Sequence, residues 1–72
     1  MGKKRFWKEW CRATERLASN ANIAEMSMFN SRVAAEFSCK EPDGTRLYFY
    51  HNIPEDWFIF EVGGVGVKYE MY

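Results

Sequence analysis

The sequence predicts an α+β domain in which an amphipathic N-terminal helix, with a short second helix, packs on one face of a four-stranded antiparallel β-meander. Three observations predict it: helical spacing of apolar residues near the N-terminus, two hairpin-turn signatures, and alternation of apolar and polar residues beside each turn. At 72 residues the chain is about half the usual domain length, so we expect one domain over residues 1–72. Its 47% hydrophobic and 18% aromatic content suffices for a core in so short a chain.

The first predicted element is a helix over about residues 3–19. At about 100° per residue its apolar side chains fall in one arc of roughly 160°, and most of its charged side chains lie opposite. The apolar arc comprises Phe6, Trp7, Trp10, Cys11, Ala13, Thr14, Leu17, Ala18 and Ala21. Asn22 followed by Glu25 has the spacing of a capping box, which predicts a short second helix over about residues 22–29. Apolar spacing also fits one longer helix through residue 38, an alternative interpretation.

Turn chemistry favours strands over that longer helix. The segment Glu41-Pro42-Asp43-Gly44 is typical of a type I turn followed by a glycine bulge, a common β-hairpin loop. Pairing Glu41 with Thr45 then places the apolar residues of both strands on one face. Gly63-Gly64 predicts a second, two-residue hairpin turn. The predicted strands span about residues 32–40, 45–51, 57–62 and 65–71, and the predicted pairs include Phe37 with Phe49, Cys39 with Leu47, Val62 with Val65 and Phe58 with Tyr69.

Catalytic, metal and cofactor chemistry have little support in the sequence. Cys39 and His51 would lie roughly 13 Å apart along the predicted sheet, beyond the reach of proton transfer. We expect His51 to be a strand-end residue that backbone or water satisfies, and Cys11 and Cys39 to face the helix–sheet interface as reduced thiols. A zinc site needs four ligands, and no ligand spacing of that kind is present. The sequence therefore predicts no catalytic residues, no metal, no cofactor and no enzymatic activity.

Two surfaces are candidates for binding. On the sheet face away from the helix we expect an aromatic cluster with a charged rim, the composition of a protein interface, formed by Tyr48, Tyr50, Trp57 and Ile59. The same residues could instead pair across strands to stabilise the sheet, or be covered by residues 20–31. The first 20 residues carry six Lys and Arg against two Glu, whereas the remainder has a net charge of −4. The basic helix face could bind nucleic acid through Lys4, Lys8, Arg12 and Arg16.

These features predict a small interaction module that binds another protein as an adaptor or inhibitor would, with nucleic-acid binding as the alternative function. The predicted edge strands, near residues 32–40 and 65–72, present unpaired backbone groups, so we also expect a weak homodimer through the last strand or the sheet face. No stretch has the continuous apolar character of a signal peptide or membrane span. We therefore expect a cytoplasmic protein with no membrane partner.

Overall fold

A single helix and one antiparallel sheet make up the described fold. The computed structural model describes residues 2–21, 29–30 and 33–72. Helix α1 spans Lys3–Asn20, and the strands are β1 (Phe29–Asn30), β2 (Ala34–Lys40), β3 (Arg46–Asn52), β4 (Trp57–Val62) and β5 (Val65–Glu70). The sheet order β1-β2-β3-β4-β5 follows the order of the chain. The predicted α+β fold, with the N-terminal helix against a four-stranded meander, is thus confirmed for β2 to β5.

Both hairpins have the predicted register. In the first, Phe37 lies opposite Phe49 and Cys39 opposite Leu47; in the second, Val62 lies opposite Val65 and Phe58 opposite Tyr69. The turn residues explain this result. Gly44 has φ +90°, and its N–H donates to the Glu41 carbonyl at 2.9 Å, which closes the type I turn before the bulge.

The core lies between α1 and the sheet. Phe6, Ala13 and Leu17 form the buried stripe of the helix. Opposite them, the inward residues of the central strands are buried because alternate side chains of a strand share one face. The buried cluster comprises Phe6, Ala13, Leu17, Phe37, Cys39, Leu47, Phe49 and Phe58, with Trp10, Ala21, Phe60, Val62, Tyr69 and Met71 packed at its border.

Several predictions about residues 20–40 need correction. The predicted second helix falls on residues 22–28, which lie outside the described residues, and on Phe29, which belongs to β1. The alternative of one longer helix through residue 38 is wrong over residues 34–38, because this segment belongs to β2. Strand β2 begins at Ala34, two residues after the predicted start near residue 32, and Val33 just before it is 59% exposed. Strand β1 also pairs beside Ala35 and Glu36, so β2 is not the bare edge that the sequence predicted.

Helix α1 covers only part of the inward sheet face. Alternation places Val65 and Val67 of β5 on the helix side, yet they are 72% and 49% exposed. A groove of about 330 Å³ separates this end of the sheet from the helix, and Arg12, Phe60 and Tyr69 contribute to its lining. The exposed flank of the sheet therefore lies at β5.

Candidate protein-binding face

The outer sheet face is the side away from α1. Tyr48 and Tyr50 lie on β3, and Trp57 and Ile59 lie on neighbouring β4. Tyr50 is directly opposite Ile59, so all four predicted residues form one continuous group, called here the aromatic row. Each of the four side chains is half-buried, which leaves every one of them accessible to a partner.

Ring and charge contacts hold two members of the aromatic row in place. The Tyr50 and Trp57 rings have centroids 5.7 Å apart and planes inclined by 33°. Lys68 Nζ lies 4.5 Å from the Trp57 ring centroid, within the range of a cation–π contact. The same ammonium forms an ion pair with Glu70 Oε1 at 3.1 Å. The indole is therefore held between a tyrosine ring and a lysine.

Tyr48 is oriented by a carboxylate on the adjacent strand. Its hydroxyl donates a hydrogen bond to Glu36 Oε2 at 2.6 Å. Burial, followed by the hydrogen bond to Glu36, raises the pKa of Tyr48 to about 12. The phenol therefore remains a protonated donor at neutral pH, with its ring fixed on the sheet surface.

A hollow in the outer face lies toward the hairpin turns. Beside Tyr48 is a hollow of about 270 Å³, which Ser38, Arg46 and Glu61 help to line. At the far end Ala34, on the same face as Glu36, is only 6% exposed. Both charge signs therefore flank the aromatic row on the side of the hollow.

The predicted basic face exists as a surface of α1, but half of its charge is already paired. Lys4, Lys8, Arg12 and Arg16 are all exposed and recur every four residues. Arg12 pairs with Glu9 at 3.5 Å. Arg16 makes two hydrogen bonds to Glu41, at 2.7 and 3.0 Å.

The Arg16–Glu41 pair instead ties the helix to the first hairpin. Asn20 Nδ2 also donates to Glu41 Oε2 at 3.1 Å. The hydrogen bond from Arg16 holds the pKa of the Glu41 carboxyl below its usual value. Sequence reasoning missed this contact because Arg16 and Glu41 are 25 residues apart, and no local pattern relates them.

His51 is a core residue one position before the end of β3, and a side chain is its hydrogen-bond partner instead of the predicted backbone or water. Strand β3 continues to Asn52, and His51 is only 6% exposed. Its Nδ1 accepts a hydrogen bond from Trp10 Nε1 at 3.2 Å. Rings of Phe6, Trp7 and Phe58 have centroids 6.1 to 6.3 Å from the imidazole. Alternation from Phe49, two residues earlier, would have placed His51 on the inner face.

The two cysteines do not share one interface, contrary to prediction. Cys39 is buried, with Sγ 3.8 Å from the Leu17 carbonyl oxygen, whereas Cys11 is exposed. The helix is rotated so that its buried stripe follows Phe6, Ala13 and Leu17, which leaves Cys11 beyond the contact. Within the described residues, no three His, Cys, Asp or Glu side chains lie close enough to hold a metal ion.

Comparison with known proteins adds no relative. No family model, no curated protein and no solved structure matches the chain. In the described part of the chain, no helix is long and apolar enough to cross a membrane.

Proposed function

We propose that this protein is a non-enzymatic interaction module that binds another protein through the aromatic row, in the manner of an adaptor or inhibitor. The observation that carries the proposal is the fixed geometry of accessible aromatic side chains on the face opposite the helix. Tyr and Trp are the residue types that most often dominate binding energy at protein interfaces.

Pre-organisation supports this function. Binding normally costs about 0.5–1.5 kcal/mol for each rotamer-rich side chain that becomes ordered. Trp57 already lies between Tyr50 and Lys68, and Tyr48 is already bonded to Glu36. Association therefore costs less free energy for ordering these side chains.

The charges around the aromatic row favour a protein partner over nucleic acid. Glu36, Glu61 and Glu70 stand on this face with Lys40, Arg46 and Lys68, so phosphate gains no net attraction there. On the helix, Arg12 and Arg16 already have carboxylate partners. Nucleic-acid binding through Lys4, Lys8, Arg12 and Arg16 therefore remains the second candidate.

A cytoplasmic location belongs to the same proposal. Cys11 is an exposed free thiol, and the reducing cytosol keeps such groups unpaired.

The test begins with capture of binding proteins from cells, followed by titration of each purified candidate against defined variants. Trp57→Ser and Tyr50→Ser should each raise the dissociation constant by about tenfold or more, because each removes a central aromatic contact. Tyr72→Ser is the matched control, since Tyr72 is 87% exposed and lies outside the aromatic row.

Circular dichroism of each variant confirms that it is folded before binding is compared. Unchanged affinity in folded Trp57→Ser and Tyr50→Ser would overturn the proposal. A gel shift at low salt that disappears in a Lys4→Glu, Lys8→Glu variant would instead support nucleic-acid binding.

A further inference from the structure

Strand β5 is an edge of the sheet. Among the described strands it is last in the order and pairs only with β4. Val62 and Val65 flank a two-residue turn, so they form a hydrogen-bonded pair and Val65 directs its backbone toward β4. By alternation the N–H and C=O groups of Gly66, Lys68 and Glu70 point away from the sheet. This edge carries no proline.

The sequence along this edge is complementary to itself. From Val67 to Met71 the order is apolar, positive, aromatic, negative, apolar. We propose that a second copy of this chain pairs antiparallel with the β5 edge, in the register centred on Tyr69. Val67 then lies opposite Met71 of the second copy, Lys68 opposite Glu70, and Tyr69 opposite Tyr69.

Charge selects this register over its neighbours. A two-fold axis perpendicular to the sheet places the same face of both copies on the same side. Residues opposite each other must then both have odd numbers or both have even numbers, so the axis passes at a residue and not between two residues. Centring on Lys68 places the two ammonium groups opposite each other, which is destabilising. Centring on Val67 places Lys68 and Glu70 opposite Gly66 and Gly64 and matches no charge. Only centring on Tyr69 pairs both charges with opposite ones.

Exposure and present contacts agree with this pairing. Val67 is 49% exposed and gains an apolar neighbour on the helix side of the sheet. Lys68 and Glu70 have side-chain exposures of 49% and 54%, and they already form an ion pair within the strand. When two copies pair, the ion pair between Lys68 and Glu70 of one strand is replaced by the same ion pair between strands. No charge is then left unpaired.

Charge-reversal variants test the pairing by sedimentation equilibrium from micromolar to millimolar concentration. Lys68→Glu alone and Glu70→Lys alone each place like charges opposite one another twice, and each should weaken self-association about tenfold or more. An equimolar mixture of the two variants should associate again, because each pair then has opposite signs. The double variant Lys68→Glu, Glu70→Lys should also self-associate. The mixture also controls for folding, because two misfolded variants would not associate again.

Disulfide trapping tests the register in a Cys11→Ser background. Opposite residues in a non-hydrogen-bonded pair have Cα atoms about 4.5 Å apart, a separation that a disulfide spans. A mixture of Val67→Cys and Met71→Cys should therefore cross-link faster than either variant alone. Wild type that stays monomeric at millimolar concentration, or a charge-reversal mixture no stronger than its components, would overturn the proposal. Faster linking of Val67→Cys to itself would overturn the register.

Discussion

His51 places a polar ring inside a nearly all-apolar core. Trp10 donates to Nδ1, so in the neutral imidazole the proton is on Nε2. That nitrogen is buried, and no described residue of the chain accepts a hydrogen bond from it. Burial of this ring disfavours its charged form, which couples the protonation of His51 to folding.

The same burial predicts how stability depends on pH. Desolvation lowers the pKa of His51 below its ordinary value of about 6.5, although Asp56 opposes the shift. Between the folded pKa and about pH 6.5, the unfolded chain binds a proton at His51 that the folded chain does not. The contribution of His51 is therefore fully present above about pH 6.5 and is lost as the pH falls toward the folded pKa. Urea denaturation at pH 7.5 and 5.5 should show a lower unfolding free energy at the acidic pH.

His51→Leu is the control for this experiment. It removes the titrating group at similar size, so its unfolding free energy should change less between the two pH values than that of wild type. Equal pH dependence in both proteins would contradict the assignment to His51.

At the scale of elements, the two hairpins illustrate what a sequence can define. Gly44 and the Gly63-Gly64 pair fix the loop lengths, and a loop length fixes which residues face each other. Strand β1 left no comparable signal, because a two-residue strand has too few positions for alternation to be read.

The second turn gives a direct test of this reasoning. Gly63 and Gly64 have φ angles of +60° and +84°, as a type I′ turn requires. Gly63→Asn should change stability little, because asparagine adopts positive φ readily, whereas Gly63→Val should lose about 1–2 kcal/mol. A Cβ at this position meets only Thr45 Cγ2 at 3.9 Å, so the difference is conformational and not steric. Thermal unfolding of both variants measures it, and equal melting temperatures would contradict it.

At the scale of the whole molecule, the arrangement of helix and sheet could be predicted only in part. The predicted apolar arc included Trp7, Cys11 and Ala18, yet all three are exposed. Periodicity defines the apolar side of a helix but not the angle at which it crosses a sheet, and that angle decides which residues become buried. For the same reason the sequence placed Val67 on the helix side without indicating that the helix leaves it exposed.

The aromatic row was predicted residue by residue, because it depends only on register. Tyr50 and Ile59 face each other as a consequence of the two turns. The contacts that orient the row, such as Lys68 above Trp57, depend on side-chain conformations that no sequence pattern encodes.

The small core makes the whole fold sensitive to one side chain. Phe49 is 1% exposed, lies on a central strand, and packs against Phe58 with ring centroids 5.5 Å apart. Phe49→Ala should lower the unfolding free energy by about 3–5 kcal/mol, since it removes buried area and leaves a cavity. The total free energy of unfolding of a 72-residue chain is roughly 4–11 kcal/mol, so the variant should be marginally folded. Urea denaturation provides the measurement, and Val65→Ala, at a position 72% exposed, should remain within about 0.5 kcal/mol of wild type. A loss at Phe49 no larger than the loss at Val65 would mean that the core does not lie between α1 and the sheet.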